Sequence, residues 1–288
     1  MNKSTVALSW TCCLCTVGQV VHTLPEGPSI HGVTSLADEV FVLRNKEQDQ
    51  LEVYDAIAYR LQRCLTVPNC RGIIDMTSCE HYKCVYIADH VVECIHSLYS
   101  QGKAATQWPV NDKPHGLSVN RAHNLLVACD KVGKIKEFST HGNLLREIIL
   151  PDDVINPFLA IQLTSGQFMV CHGNLDDPVH RVCMISSDGR QIVHSHGGQP
   201  GSDTDQCNVP FHVALDSHNF VFAADQNNLR VKLLSPTLDY VRDVVTSDSF
   251  KWKPRRLYVD AVRCRLYVVD NEWKDGKFRA GRVVVFIV

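Results

Sequence analysis

A short pattern of strands recurs six times along this chain and constrains the fold more than any other feature. In its clearest copy, residues 210–235, a turn joins two apolar segments and a polar loop leads to a third. The residue that ends the second segment recurs every 41 to 53 positions, as Arg44, Asp89, Asp130, His172, Asp225 and Asp270. A period of this length without sustained helical periodicity is typical of a β-propeller, in which each repeat is a small sheet that buries its faces against its neighbours.

The number of predicted strands indicates how the ring closes. Residues 18–24 (GQVVHTL) have the pattern of an outer strand but no blade of their own, whereas the sixth copy has three strands and ends with residues 281–288. Pairing of these two segments would complete the last blade and remove two unpaired sheet edges. The sequence therefore predicts an all-β fold, a six-bladed β-propeller of four-stranded antiparallel blades, as one domain over residues 18–288. Residues 1–17 are expected to form a poorly ordered extension, and a signal peptide is an open alternative for them.

Composition and charge narrow the classes of partner. The net charge of −2 and the pI of about 6.7 give no overall attraction to nucleic acid or to an anionic membrane. The chain also has no run of the ~18 apolar residues that a membrane-spanning helix needs. We therefore expect no DNA partner, no membrane association and a monomer. The 13 cysteines lack a regular spacing and fall mostly within apolar strands, which favours buried thiols, a reducing compartment and a cytoplasmic location.

The approach to the fifth repeat carries a more specific motif. It consists of Gly-x-x-Gly, Gln-x-x-x-Pro, a strand-end Asp and Asn-x-x-Arg-Val, with the matching residues Gly198, Gly201, Gln206, Pro210, Asp225, Asn227, Arg230 and Val231. This motif resembles the NHL repeat, and the chain from residue 18 onwards resembles the C-terminal propeller of tripartite-motif NHL proteins. Cys207 stands where that family usually has Phe, and the first and fourth copies lack the Asp. That family often carries RING, B-box and coiled-coil segments, which this sequence lacks, so the resemblance assigns it no ubiquitin-ligase activity.

The strand-end aspartates Asp89, Asp130, Asp225 and Asp270 allow two interpretations. They would form a ring of carboxylates at one mouth of the propeller, or each would accept hydrogen bonds from the backbone N–H groups of its loop. Recurrence in a structural repeat favours the second interpretation, so we predict a structural role.

Three histidines, His31, His115 and His212, fall at or near blade entries, where inner strands line the axis. Neutral imidazole is a good zinc ligand, and propeller lyases and lactonases that resemble this fold hold a metal there. The three histidines are not in register, because they precede their strand-end residues by 13, 15 and 13 positions. We therefore predict no metal and no cofactor, and keep a metal-dependent lyase or hydrolase as an alternative.

Basic and aromatic residues concentrate in loops that a propeller places on one face, above all in residues 250–256 (FKWKPRR). The candidate binding face consists of Arg71, His115, Lys131, Arg181, Arg230, Lys251, Trp252, Lys253, Arg255, Arg256, Trp273 and Arg279. Such a patch suits RNA, through phosphate contacts and base stacking, but acidic residues are interspersed in the same loops. No nucleophile elbow or phosphate-binding loop is recognisable. The sequence therefore predicts a non-catalytic scaffold for a protein or peptide partner, with RNA binding as the alternative use of this face.

Overall fold

The computed structural model describes residues 18–45, 50–99, 106–129 and 133–288. Within them the chain forms β-strands and two short 3₁₀ turns, Gln226–Asn228 and Ser247–Ser249. None of the described helical segments has the length and hydropathy that crossing a membrane requires. The predicted N-terminal extension and the predicted site residues Asp130 and Lys131 lie outside the described residues.

The strands form six antiparallel sheets. The chain starts with β1 (Val20–Thr23) and β2 (Gly27–Pro28), which both join the last sheet. Blade 1 contains β3 (Ile30–Leu36), β4 (Glu39–Arg44), β5 (Gln50–Asp55) and β6 (Leu61–Thr66). Blade 2 contains β7 (Ile73–Cys79), β8 (Cys84–Asp89), β9 (Cys94–Tyr99) and β10 (Thr106–Pro109). Blade 3 contains β11 (Pro114–Val119), β12 (Leu125–Cys129), β13 (Lys134–Phe138) and β14 (Leu144–Ile149).

The second half of the ring repeats this order. Blade 4 contains β15 (Pro157–Gln162), β16 (Phe168–His172), β17 (His180–Ile185) and β18 (Ile192–Gly198). Blade 5 contains β19 (Pro210–Leu215), β20 (Val221–Asp225), β21 (Arg230–Leu234) and β22 (Tyr240–Val245). Blade 6 contains β23 (Lys253–Asp260), β24 (Arg265–Lys274) and β25 (Lys277–Ile287), with β1 as its outer strand.

The first strand of each blade contacts the first strand of the next, from β3 through β23 and back to β3, which closes the ring around a central axis. The N-terminal strand β1 pairs with β25, with Val20 opposite Phe286 and Thr23 opposite Val284. Backbone hydrogen bonds extend this pairing, since the Leu24 N–H donates to the Val283 carbonyl at 2.9 Å. Both the six-bladed fold and its predicted closure by residues 18–24 are confirmed.

The hydrophobic core lies between blades rather than within them. In the described part of the chain it divides into clusters that each draw on two adjacent blades. For example, Phe222 and Val231 of blade 5 pack with Leu257 and Phe286 of blade 6. This is the packing that a repeat of small sheets requires, because no blade can bury both of its faces alone.

Each inner strand carries a β-bulge close to its start. A bulge inserts one extra residue and re-aims its side chain. The six extra residues, which we call the upper ring, are His31, Ile74, His115, Phe158, Phe211 and Arg255. The residues that follow them, which we call the lower ring, are Gly32, Asp75, Gly116, Leu159, His212 and Arg256. Gly116 has no side chain because a Cβ there would collide with the Phe158 carbonyl of the next blade.

The strand pairing corrects one position of the sequence repeat. The residue before each bulge lies opposite the residue that ends the second strand, as Pro210 lies opposite Asp225 and Ile73 opposite Asp89. In blade 3, Pro114 lies opposite Cys129, so Cys129 and not Asp130 is the equivalent residue. The shift is not visible in the sequence, because Asp130 directly follows Cys129 and has the same residue type as the strand-end residue of three other copies.

The described strand-end aspartates hold the incoming loop of their own blade. Asp225 accepts the Asn208 N–H at 2.7 Å, and Asp89 accepts the Arg71 N–H at 2.6 Å. Asp270 accepts the Lys251 N–H at 3.0 Å. These carboxylates therefore act as structural staples, and their oxygens do not line the mouth of the ring as free ligands.

Blade 1 uses the opposite charge for the same purpose. Arg44 occupies the strand-end position and donates to the carbonyls of Pro25 at 2.6 Å and Pro28 at 3.1 Å. Its Nε also pairs with Glu52 at 2.7 Å in the interior of the protein. The incoming loop of blade 1 presents carbonyl groups where the loops of blades 2, 5 and 6 present N–H groups, so a donor replaces the acceptor.

Candidate functional site at the propeller axis

The upper ring brings aromatic and cationic side chains from different blades together at the axis. The rings of Phe158 and Phe211 stack with centroids 4.6 Å apart, and the His115 ring lies 5.2 and 5.5 Å from them. The Arg255 guanidinium lies 4.7 Å from the Phe211 centroid. Blades 3 to 6 thus contribute one side chain each to a single cluster, which only the bulge geometry makes possible.

The lower ring contains a charged network that crosses the axis. Arg256 Nε lies 3.0 Å from Asp75 Oδ1 and donates to the His31 carbonyl at 3.1 Å. Asp75 Oδ2 accepts the Leu117 N–H at 2.9 Å and lies 3.9 Å from His212 Nε2. Burial opposes the ionisation of Asp75, but Arg256 and His212 hold its pKa below its ordinary value. Asp75 is therefore an ionised counter-ion of Arg256.

Arg255 has no such counter-ion among the described residues. Its residue is only 5% exposed, and its Nε and Nη1 atoms are buried without a hydrogen-bond partner among the described residues. Its guanidinium is 3.8 Å from the centroid of the Phe278 ring, so it is held between two aromatic side chains. Burial, followed by the charge of Arg256, lowers the pKa of Arg255 well below its ordinary value. The environment therefore destabilises the charged form, as expected for a buried cation that lacks an anion.

An extended hairpin of blade 6, residues 271–281, covers this cation. Strands β24 and β25 continue beyond residue 270, where the sequence pattern predicts the end of the second strand. Trp273 lies opposite Phe278, and their rings meet edge to face at 4.6 Å. Phe278 contacts Arg255, whereas Trp273 is 48% exposed on the outer side of the hairpin. The hairpin therefore links an exposed aromatic side chain to the buried guanidinium.

Two histidines of the upper ring, His115 and His31, are neutral. Burial, followed by the charge of Arg256, lowers the pKa of His115 to about 3, and its Nδ1 is 2.9 Å from the Phe158 carbonyl. Burial and the two arginines lower the pKa of His31 well below its ordinary value, and its Nδ1 has no partner among the described residues. Arg256 Nη1 is likewise unpaired within the described residues. The upper ring and the adjacent Arg256 therefore offer several N–H groups around Arg255 that have no partner within the described residues.

The structure separates the three histidines that the sequence singles out. His31 and His115 lie in the upper ring, and His212 lies in the lower ring. Within the described ranges they do not form a group close enough to hold one metal ion. His212 instead accepts the Leu257 N–H through Nδ1 at 3.4 Å and faces Asp75.

A cavity of about 280 Å³ lies on the axis beside the lower ring. Its wall includes the Asp75 carboxylate, the His212 imidazole and the Arg256 guanidinium, together with residues of all six inner strands. The hydroxyl groups of Thr34 and Ser78, 2.8 Å apart, belong to the same wall. The lower ring is therefore the partition between this cavity and the upper ring.

The candidate binding face is only partly a surface. Arg255 and Arg256 are 5% and 2% exposed, which corrects their predicted position on an exposed patch. Arg181 in β17 and Arg230 in β21 are engaged by Asp153 at 2.5 Å and Asp225 at 2.7 Å. The side chains with substantial exposure are Arg71, Lys251, Trp273 and Arg279, and those with intermediate exposure are His115, Trp252 and Lys253.

The sequence reading missed Asp75, Phe158, Phe211 and Phe278. A signal for three upper-ring residues exists, because a proline directly precedes each of Phe158, Phe211 and Arg255. The same Pro-x pairing identifies His115. Alignment on these prolines, rather than on the strand-end residue, would have placed the upper ring in register.

Comparisons with known proteins identify the fold but no family. No protein-family model and no curated protein matches the chain. Among solved structures, the chain is similar to a streptogramin B lyase, with a TM-score of 0.63 and 11% identity over 92% of this chain and 88% of that chain. A catalytically inactive virginiamycin B lyase from Staphylococcus aureus, solved with quinupristin, gives a TM-score of 0.63 and 9% identity over 90% and 95% of the two chains.

A protein of unknown function from Bacteroides caccae is also similar, with a TM-score of 0.58 and 13% identity over 78% of this chain and 84% of that chain. At such identities these likenesses support the β-propeller fold alone. The relationship to NHL propellers remains a prediction from the sequence motif.

Proposed function

We propose that this propeller is a non-catalytic binding module that captures an acidic group of a protein or peptide partner at the upper ring. One observation carries the proposal: Arg255 is a buried guanidinium whose Nε and Nη1 have no partner among the described residues. A buried charge is costly unless it is paired, so a protein that retains one gains from an anionic ligand.

A carboxylate is the anion that suits this environment. The planar guanidinium group binds a carboxylate through two parallel hydrogen bonds, which gives direction as well as attraction. Phe211 and Phe278 surround Arg255 and exclude water, which strengthens a hydrogen bond between opposite charges. The neutral imidazole of His31 adds a nearby N–H donor when its proton is on the unpaired Nδ1.

Features outside the axis favour a protein partner over a small anion. Trp273 is half-exposed and contacts the ring that covers Arg255, and tryptophan is a residue type that anchors protein interfaces. The nearby rim is mixed in sign, since Lys251 pairs with Glu26 at 2.8 Å and Arg279 lies 3.8 Å from Asp275. A rim of alternating charge suits a protein surface better than the uniform negative charge of RNA.

The lower ring supports binding rather than proton transfer. Asp75 is engaged by Arg256 and by the Leu117 N–H, and the His212 Nδ1 atom accepts the Leu257 N–H. A general base needs an unengaged lone pair within reach of a substrate proton. Both groups instead hold the inner strands of opposite blades together.

The test is a selection from a random-peptide display library on the whole chain. We expect the selected peptides to share one Asp, Glu or free C-terminal carboxylate, and the selection to fail on Arg255→Met. Arg190→Met is the matched control, because Arg190 makes only a 4.0 Å contact with Asp188 and its side chain is 84% exposed. This control should select the same peptides as the unchanged protein.

Each selected peptide is then measured with its acidic residue changed to the amide. Removal of a buried charged hydrogen bond typically costs 2–5 kcal/mol, so the Kd should rise by at least about 30-fold. Equal binding of the acid and the amide would refute the proposal. A random RNA pool serves as a parallel ligand, and salt-sensitive RNA binding that depends on Arg71 and Lys251 would favour the RNA function instead.

A further inference from the structure

Blade 2 differs from blades 5 and 6 in the partner of its strand-end aspartate. Asp225 lies opposite Arg230 and is 2.7 Å from its Nε, and Asp270 is similarly paired with Arg282 at 3.0 Å. In blade 2 the residue opposite Asp89 is Cys94. The arginine that completes the staple elsewhere is therefore replaced by a thiol.

Two further metal-binding side chains surround this position. His96 Nε2 lies 3.7 Å from Asp89 Oδ2 and 3.4 Å from Cys94 Sγ. Cys70, in the loop that enters the blade, has its Sγ within 4.8 Å of the ligand atoms of Asp89 and His96. Asp89, Cys94 and His96 are each at most 2% exposed, and Cys70 is half-buried. The set combines side chains of one loop and two strands at one place.

The side chains lie close to the spacing that a tetrahedral ion requires. Bonds of about 2.0 Å to nitrogen or oxygen and 2.3 Å to sulfur put neighbouring ligand atoms of a tetrahedral zinc roughly 3.3–3.8 Å apart. The distance from His96 Nε2 to Cys94 Sγ, 3.4 Å, is close to the roughly 3.5 Å of a nitrogen–sulfur pair, and the distance from Nε2 to Asp89 Oδ2, 3.7 Å, is longer than the roughly 3.3 Å of a nitrogen–oxygen pair. The Cys70, Asp89 and His96 ligand atoms already lie within 4.8 Å of one another, so Cys94, which contacts His96, would have to move toward the other two on binding. The half-buried position of Cys70 gives the ion a route of entry.

We propose that Cys70, Asp89, Cys94 and His96 form a structural zinc site that replaces the aspartate–arginine staple of other blades. Binding forms four bonds to Zn²⁺ and displaces to solvent the protons of the two thiols and the proton that His96 Nε2 carries in its ion pair with Asp89, with no change of oxidation state. The ion joins the incoming loop to β8 and β9, which is the connection that Arg230 and Asp225 make in blade 5.

Surrounding hydrogen bonds orient the ligands. The Val91 and Val92 N–H groups donate to Asp89 Oδ1 at 3.0 and 3.2 Å, and Oδ2, which accepts the Arg71 N–H at 2.6 Å, also faces His96. Gln107 on the outer strand donates from Nε2 to Cys94 Sγ at 3.0 Å. Hydrogen bonds to ligand atoms hold them in position for the metal and are a usual feature of such sites.

The first experiment measures zinc directly. The whole chain is purified under reducing conditions without chelator, and bound metal is determined by elemental mass spectrometry and by competition with a chromophoric chelator. We expect one zinc per chain. Cys70→Ser and His96→Gln should each weaken zinc binding by more than about 100-fold, and Gln107→Ala by about 10-fold, the effect typical of a residue that orients a ligand.

Blade 5 supplies a matched control. Cys207 precedes Pro210 by three residues, as Cys70 precedes Ile73, and both second residues lie opposite the strand-end aspartate. Cys207→Ala should therefore leave zinc affinity unchanged, because Asp225 there is already paired with Arg230. Cys64→Ala, at an exposed thiol, tests for adventitious binding.

Cobalt(II) gives a readout that does not depend on the folding of any variant. Cobalt bound to the unchanged protein should show the visible absorption of a tetrahedral ion and thiolate charge-transfer bands. An absence of zinc binding, a cobalt spectrum without thiolate bands, or equal losses in Cys64→Ala and Cys70→Ser would overturn the proposal. In that case Asp89 and His96 form a metal-free ion pair that serves as the staple.

Discussion

Replacing Arg255 with methionine should stabilise the unliganded protein while abolishing the binding of an acidic partner. Most substitutions of buried residues destabilise a protein, so this prediction has an unusual sign. It follows from the two nitrogen atoms of Arg255, Nε and Nη1, that are buried without a hydrogen-bond partner within the described residues. Methionine removes the buried charge, keeps a side chain of comparable length and leaves a sulfur atom against the aromatic rings.

The expected magnitude follows from the contacts. Each unsatisfied buried N–H costs about 1–3 kcal/mol. Methionine recovers that free energy but loses the interaction of the guanidinium with Phe211 and Phe278, at 4.7 and 3.8 Å, which contributes about 1–2 kcal/mol. The net gain is about 1–3 kcal/mol in the free energy of unfolding, within the range found when buried ions are replaced by apolar residues. For a domain of this size it corresponds to a rise in Tm of about 2–5 °C.

Urea unfolding provides the assay, with the neighbouring arginine as the contrast. Arg256→Met leaves Asp75 buried without the guanidinium that lies 3.0 Å away, so it should lower the free energy of unfolding by about 3–5 kcal/mol. Both variants should keep the m-value of the unchanged protein. If Arg255→Met is destabilised by more than about 1 kcal/mol, Arg255 already has a partner in the free protein and the reasoning for the anion site fails.

Three further predictions concern the fold. The pKa of His115 is about 3 in the folded protein and near 6.5 in the unfolded chain, so the unfolded chain binds more protons below pH 6.5 and the free energy of unfolding falls by about 1.4 kcal/mol for each unit that the pH drops between those values. His115→Gln should reduce the slope of the unfolding free energy against pH between 6 and 4, and an unchanged slope would contradict this. Leu24→Ala should lower the free energy of unfolding, measured by chemical denaturation, by about 2–5 kcal/mol, because Leu24 is fully buried where the ring closes. Val21→Ala, at a residue 38% exposed, should lower it by less than about 0.5 kcal/mol, and equal losses would argue against the closure. Arg44→Asp restores the aspartate of the sequence repeat but should lower the free energy of unfolding by more than about 3 kcal/mol, because the new carboxylate would face Glu52 and the loop carbonyls. An unchanged free energy of unfolding would show that this loop can present N–H groups instead of carbonyls.

The exchange of polarity between blades explains why the repeat is only partly visible in the sequence. The strand-end position needs a side chain that ties down the incoming loop, and Asp225 and Arg44 both do so by opposite hydrogen bonds. Blade 3 places Cys129 there. A repeat defined by its aspartate therefore includes only the blades that hold the loop with a carboxylate, whereas the strand pairing is repeated in every blade.

The sequence by itself determined the all-β class, the six blades and the closure by residues 18–24. These follow from the spacing of short apolar strands and from the count of strands at the two ends, which are properties of neighbouring residues. Pairing of β1 with β25 needs no further information, because a blade with three strands and a strand without a blade have one simple way to satisfy both edges.

Only the tertiary structure decided what lies on the axis. Each upper-ring residue precedes the strand-end residue of its blade by 13 to 15 positions in the sequence, with 13 from His31 to Arg44 and 15 from Arg255 to Asp270. The number varies because the turns between the first two strands differ in length. A shift of one residue turns a side chain to the other face of a strand, so this variation hides which residues point to the axis. The contacts of Arg256 with Asp75 and of Arg255 with Phe278 depend on the bulges, on the extended hairpin of blade 6 and on a ring that brings blades 2 and 6 together. Those contacts turn a predicted surface patch into a buried cation without a paired carboxylate in the described part of the chain.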